Sequence, residues 1–242
     1  MRVPYRAVTK VCWYDKVDYC YNKHMYFESR WQAGEVLARE LFDRYRYENC
    51  AVIALSDGGA VVGEQIASWL HTSLSMIVTE EIEIPGESLV FGALDQGGGF
   101  IYNDTFSGGE VDEYNSEFQS YLGEMKREAF QKINRLVGSG GTIDFDRLKD
   151  RVLVLVSDGL RSSMAISAAI NFLKPVRYSR LVVAAPVADV SVVDTIHMLA
   201  DELHILDVKS NYLDTDHYYD DNNIPSHEEV IRTIDDMLLH WR

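Results

Sequence analysis

The sequence predicts an α/β protein, a parallel Rossmann-like sheet of about five strands with a small hood. Three observations carry that expectation. Two apolar runs, C-A-V-I-A-L from Cys50 and V-L-V-L-V from Val152, have the continuous hydrophobic character of strands buried on both faces. Each run breaks into a turn of small and polar residues, S-D-G-G or S-D-G-L-R-S-S, and re-emerges as a helix pattern. Strand-length and helix-length patterns then alternate to the C-terminal region, which is the signature of parallel crossover units.

The elements follow in order. Residues 1–25 form an aromatic N-terminal arm (Tyr5, Trp13, Tyr14, Tyr19, Tyr21) without a clean period, expected to pack on the body or on a second subunit. In F-E-S-R-W-Q-A-G-E-V-L-A-R-E-L-F, Trp31, Gly34, Leu37, Ala38 and Leu41 recur at helical spacing. The strand from Cys50, the helix A-V-V-G-E-Q-I-A-S-W-L and the strand L-S-M-I-V-T make one parallel unit. Residues 85–109 read as loop because P-G-E-S, G-G-G and S-G-G interrupt them. Val111 to Leu136 reads as a charged helix with a solvated face, not a binding helix, and G-S-G-G at 138–141 as a hinge or turn. The second half continues with the strand Val152–Val156, a helix over 164–173, the strand L-V-V-A-A-P-V, a helix over 190–200 and the strand E-L-H-I-L-D-V. Pro225 and Ser226 open a last helix with acids in its first turn. The expected organisation is an arm at 1–25, a core at 26–210 and a C-terminal hood segment and helix at 211–242.

Composition bounds the function. Of 242 residues, 47% are hydrophobic and 25% charged, ordinary for a globular protein with a real core. The balance of 23 Lys and Arg against 38 Asp and Glu, formally −15, argues against nucleic acid or anionic membrane as partner. A small phosphorylated ligand in a locally favourable pocket remains compatible with that charge. Without a membrane-length apolar run or a signal-peptide pattern, a cytoplasmic protein is expected. Cys12, Cys20 and Cys50 lack metal-ligand spacing and are expected to be reduced, Cys50 as a buried thiol.

Ligands of open parallel sheets bind beyond the carboxyl ends of the strands. Three such ends stand out: Ser56-Asp57-Gly58-Gly59, the T-E-E-I stretch containing Glu80 and Glu81, and Ser157-Asp158-Gly159-Leu160-Arg161-Ser162-Ser163. In the third, a helix N-terminus offers free N–H groups and partial positive charge. Ser162 and Ser163 add hydroxyls, and Arg161 adds a fork for a phosphate. The plainer reading is that one serine only caps the helix.

The chain resembles the type I phosphoribosyltransferases, which use magnesium to move ribose 5-phosphate from phosphoribosyl pyrophosphate onto a nitrogen base. The resemblance rests on V-L-V-L-V-S-D-G-L-R-S-S-M-A and, in the family's order, on F-E-S-R-W-Q-A-G-E-V-L-A, A-L-S-D-G-G-A-V-V-G-E-Q-I-A, I-P-G-E-S-L-V-F-G-A-L, V-V-A-A-P-V-A and H-Y-Y-D-D-N-N-I-P-S-H-E-E-V. It runs from about Phe27 to the end and implies that family's fold. It also implies a ribose or metal contact for Asp158, a phosphate loop at Gly159, Arg161, Ser162 and Ser163, and a pyrophosphate loop at Ser56, Asp57, Gly58 and Gly59.

Departures from the family pattern fall on these same loops. The first of the two ribose acids is Ser157. In the T-G-x-T-like turn the glycine position is Ser163 and the last threonine position is Ala165. Asp57 stands where the family has arginine, and Glu80-Glu81 where it has a basic pair. A carboxylate about 4 Å from a unit anion costs about 1 kcal/mol in water and about 4 kcal/mol at intermediate dielectric. Replacing a cation also removes an attraction. Three readings follow: a catalytically degenerate member that binds a nucleotide or sugar phosphate, an active Mg2+-dependent transferase, or an interaction module with an acidic cation-binding crevice. In the last, Asp57, Glu80, Glu81 and Asp158 would line one crevice, with Asp158, Glu80 and Glu81 as the metal ligands. A homodimer is expected.

Other candidates are weaker. None of the seven histidines has a ligand-spaced partner, though His217 and His227 lie in the segment that covers the site in the family. D-T-D-H-Y-Y-D-D at 214–221 lacks the glycine and terminal glutamate of a calcium loop and reads as a solvated lid. By analogy with the family's hood, Tyr218 or Tyr219 would stack a base.

Overall fold

A computed structural model of the chain describes residues 26–86, 89–138 and 143–240. The aromatic arm, with Cys12 and Cys20, and most of the G-S-G-G turn lie outside the described residues. The first elements are β1 (Phe27–Ser29), α1 (Arg30–Tyr45), β2 (Cys50–Ala54), α2 (Asp57–Leu70) and β3 (Leu74–Met76). Then come β4 (Thr79–Glu83), β5 (Val90–Asp95), β6 (Phe100–Tyr102), α3 (Gly108–Glu117) and α4 (Gln119–Gly138). The second half holds β7 (Val152–Val156), α5 (Met164–Leu173), β8 (Arg180–Asp189), α6 (Val190–His197), β9 (Glu202–Lys209), β10 (Tyr219–Asp221) and α7 (His227–His240).

The main sheet has five strands in the order β3-β2-β7-β8-β9, all parallel. Side chains alternate between its faces, as the two-residue strand period requires. Val152, Val154 and Val156 pack with Leu37, Leu41, Val62, Ile66 and Ile231 of α1, α2 and α7. Leu153 and Leu155 pack with Ile166, Ala169, Val192 and Ile196 of α5 and α6 on the other side. Helices therefore cover both faces, which is why these strands read as unbroken apolar runs. Pro186 sits in β8 only after β7 has ended, since the β7–β8 register stops at Val156↔Ala184. Its missing N–H thus costs no bond to β7.

The chain leaves β2 for β3 on one side and β7 for β8 and β9 on the other. The β2–β7 boundary is accordingly the topological switch point, where a crevice opens beyond the strand ends. Two smaller sheets flank it. β1 and β10 pair in parallel, Phe27 opposite Tyr219, tying the start of α1 to the C-terminal segment as a hood. β4, β5 and β6 form an antiparallel sheet backed by α4.

Several expectations are corrected. The stretch read as loop at 85–109 contains β5 and β6, because V-F-G-A-L supplies five consecutive buried residues. The charged segment read as one helix is two, broken at Phe118. It is not only a solvated face: Leu122, Ala129 and Ile133 pack with Ile82, Phe91 and Leu94. Glu80 and Glu81 belong to β4, not to the end of a parallel strand. Trp31 is 53% exposed, and the buried stripe of α1 starts one residue earlier, at Arg30.

Candidate functional site

At the switch point, β2 and β7 end side by side and deliver Ser56 and Asp158 to one place. Arg30 completes it. It is the first residue of α1, only 3% exposed, and in register with Ala33, Gly34, Leu37, Ala38 and Leu41 on the buried face. A guanidinium in such a position must be paired. Its Nε donates to Asp158 Oδ2 at 2.7 Å, one terminal nitrogen to Asp216 Oδ1 at 2.5 Å and the other to Asn222 Oδ1 at 3.2 Å. The guanidinium also lies 4.6 Å from the centre of the Tyr219 ring. Burial alone would lower the Arg30 pKa, but Asp158 and Asp216 outweigh it and hold the group above its ordinary value.

Both oxygens of Asp158 are engaged. Oδ1 accepts from Ser56 Oγ at 3.0 Å, and that same Oγ caps α2 by accepting from Gly59 N at 2.8 Å. The Asp158 carbonyl accepts from Tyr219 Oη at 2.5 Å. Ser157 closes its own turn: its hydroxyl donates to the Gly159 carbonyl at 2.8 Å. A Cβ on Gly159 would collide with the Tyr212 hydroxyl, so the hood presses directly on this loop.

The phosphate end of the loop faces β4. Arg161 is bound to Glu83 at 2.5 Å, which raises its pKa. Ser162 Oγ donates to Glu81 Oε1 at 2.9 Å and accepts from Met164 N at 2.9 Å, so it is the serine that caps α5. Ser163 makes no capping bond with its side chain. Burial pushes the Glu81 pKa up, against the opposing pull of Ser162 and Arg161. Beside this contact a cleft of about 610 Å3 is lined by Glu80, Glu81, Glu83, Met125, Lys132 and Arg161, with α4 as one wall.

Asp57 and Glu80 are paired elsewhere. Asp57 Oδ1 lies 2.7 Å from His227 Nδ1, and the other ring nitrogen of His227 lies 3.3 Å from the Leu136 carbonyl. Glu80 is bridged to Lys132 at 2.7 Å. Gly58 packs against the Arg30–Asp158 pair, and Gly59 against the Val156 carbonyl. Asp158, Glu80 and Glu81 therefore do not converge, and among the described residues no group of three or more His, Cys, Asp and Glu side chains could hold a metal ion. Asp158 gives one oxygen to Arg30 and the other to Ser56. Tyr218 and Tyr219 are both buried, and the face of Tyr219 is taken by Arg30. His217 bonds Tyr26 at 2.9 Å. Of the acidic stretch read as a solvated lid, Asp216 turns in to Arg30.

Comparison with known proteins bears on this arrangement. A crystal structure of the Thermus thermophilus protein TT1426 superposes with a TM-score of 0.65 at 25% identity, covering 90% of this chain and 99% of that one. A Mycobacterium tuberculosis protein, provisionally named phosphoribosyl transferase Rv0571c, is 24% identical over 213 residues, 86% of this chain. The chain is similar to mycobacterial proteins provisionally named phosphoribosyl transferases. It spans 46% of the length of the mycobacterial relative. A Staphylococcus aureus hypoxanthine phosphoribosyltransferase gives a looser superposition, with a TM-score of 0.43 at 10% identity over 77% of each chain. No protein-family model matches the chain. None of the described helices is long and apolar enough to cross a membrane.

The sequence placed His227 in the segment over the site but gave no partner role to Arg30, Asp216 or Asn222. Arg30, Asp216, Asn222 and His227 come from segments distant in sequence. One signal for Arg30 was present: a cation opening the i, i+3, i+4, i+7, i+8 apolar stripe of a helix implies a buried counter-charge.

Proposed function

We propose that this chain is a phosphoribosyltransferase-like protein in which the transfer reaction has been lost and the fold serves to bind a nucleotide or sugar phosphate. One observation supports this above the others: both carboxylate oxygens of Asp158, the one acid left in the ribose position, are held inside the protein by Arg30 and Ser56. A carboxylate whose two oxygens already accept from Arg30 and Ser56 has fewer lone pairs and less net negative charge to offer ribose hydroxyls or a hydrated metal. The pyrophosphate loop has the same character, with Asp57 held by His227 where a leaving pyrophosphate needs positive charge.

The test is a titration of phosphoribosyl pyrophosphate with and without Mg2+, followed by calorimetry, together with an assay for pyrophosphate release over a panel of purine and pyrimidine bases. The expected result is no pyrophosphate release with any base, and thermal stabilisation by a subset of nucleotides or sugar phosphates. Magnesium-dependent pyrophosphate release would overturn the reading.

A further inference from the structure

Away from the candidate site, a polar cluster joins α1 to β9 at one edge of the main sheet. Its centre is His204, whose side chain is 6% exposed. Glu202 and His204 are two residues apart on one strand and so point to the same side of the sheet, where α1 supplies Glu40, Arg44 and Tyr45. His204 Nδ1 lies 2.8 Å from Glu40 Oε1, and Nε2 lies 3.3 Å from Tyr45 Oη and 3.8 Å from Glu202 Oε2. Tyr45 Oη donates in turn to Glu202, which also pairs with Arg44 at 2.8 Å and Arg180 at 3.0 Å. The other terminal nitrogen of Arg180 reaches Glu48 at 3.0 Å.

These contacts leave the imidazole one protonation state. Burial opposes ionisation of Glu202, yet the bond from Tyr45 and the charges of Arg44 and Arg180 hold its carboxyl below the ordinary value, so it accepts. Burial, and then the same bond, push the Tyr45 phenol well above its ordinary value, so it keeps its one O–H and gives it to Glu202. The Tyr45 oxygen can then only accept from His204 Nε2, and the Glu40 carboxylate can only accept from Nδ1. A neutral imidazole has one N–H and would set its lone pair against one of these two acceptors. The imidazolium serves both. Charge agrees with this: Glu40, Glu48 and Glu202 face Arg44 and Arg180, and a protonated His204 is the third cation.

We propose that His204 is held as the imidazolium in the folded protein and is a pH-sensitive latch between α1 and β9. Imidazole is the side chain that ordinarily changes charge between about pH 5 and 8. On losing its proton, His204 can keep Glu40 or Tyr45 but not both. α1 begins at Arg30, and the segment after β9 carries Asp216, Tyr219 and Asn222, which hold that arginine. The same helix and strand thus carry the latch at one end and lead into the candidate site at the other.

The test compares wild type with His204→Gln and Glu40→Gln in urea unfolding at about pH 5.5 and about pH 8.5, with nitrogen-15 NMR of the histidine rings in wild type. The His204 ring is expected to show two protonated nitrogens at the lower pH and one at the higher. The urea midpoint of His204→Gln is expected to lie below that of wild type in acid, and the gap to narrow as pH rises, because stabilisation by a charged histidine is lost with its proton. The other histidines are common to both proteins and cancel in this difference. Glu40→Gln, which removes one facing carboxylate, is expected to flatten the same pH dependence. A gap of equal size at both pH values, or a His204 ring whose protonation does not change between them, overturns the latch. Should His204→Gln fail to fold, the wild-type ring signals and Glu40→Gln decide it. None of these outcomes depends on whether the candidate site binds a phosphorylated ligand.

Discussion

Arg30 Nε and Asp158 Oδ2 meet at 2.7 Å although 128 positions separate them in the chain, and neither side chain is more than 12% exposed. This contact joins the first helix to the end of the central strand at the place where the sheet changes direction. The flanking groups reinforce it: Tyr219 lies over the guanidinium, and Asp216 adds a second carboxylate to it.

Removing one member of this pair strands a charge in the interior, which costs about 3–5 kcal/mol. Arg30→Met and Asp158→Asn are each expected to destabilise the protein by roughly that amount in urea denaturation. The double variant should cost about 1–3 kcal/mol less than the sum, as contacting residues do. Additive losses would show that the pair is not the energetic unit it forms geometrically.

Gly58 reports on the same pair from the side. An added Cβ would strike the Asp158 carboxylate and lie 2.8 Å from Arg30 Nε. Gly58→Ala is therefore expected to lose about 1–3 kcal/mol from overpacking. Gly108→Ala, where a Cβ meets nothing within 4 Å, should be neutral or stabilising. Equal midpoints for the two variants would refute the crowding.

The acid limb of the stability profile carries a signature of Glu64. Burial alone raises its pKa in the folded protein above the ordinary carboxylate value. A raised folded pKa means that the favourable contribution is fully present below the unfolded value and is lost as pH rises through the folded one. Glu64→Gln is thus expected to stabilise the protein relative to wild type near pH 7 and to make little difference near pH 4. Unfolding midpoints measured across that window check the sign.

Cys50 is expected to resist thiol reagents. It is 3% exposed, and burial pushes its thiol up to about 11, so little thiolate exists at pH 8. Alkylation followed by peptide mass mapping should leave Cys50 unmodified in the folded protein and label it fully in denaturant. Rapid labelling of Cys50 under native conditions would contradict its burial.

Much of the architecture was legible in the chain because parallel strands covered on both faces need unbroken apolar runs. Val152–Val156 and the helix over 164–173 appear in the structure as read. The antiparallel sheet was not legible: β6 has only three residues, and the glycines and Pro85 around both strands read as punctuation. Its cohesion comes from α4, a separate element that begins only at Gln119, and local pattern does not carry that information. The α1 stripe was placed one residue late because Trp31 is the more hydrophobic residue, whereas the packing geometry selected Arg30.

By itself the sequence determined the α/β class, the strand-to-helix loops and the presence of acids at Asp57, Glu80 and Glu81. Only the tertiary structure decided what those charges do. The acids expected to share one crevice were distributed among four partners: Arg30 for Asp158, His227 for Asp57, Lys132 for Glu80 and Ser162 for Glu81. The physical reason is that a side chain's charge is fixed by its type, whereas its partner is fixed by which distant elements pack beside it. A half-buried carboxylate takes the donor that packing brings within reach.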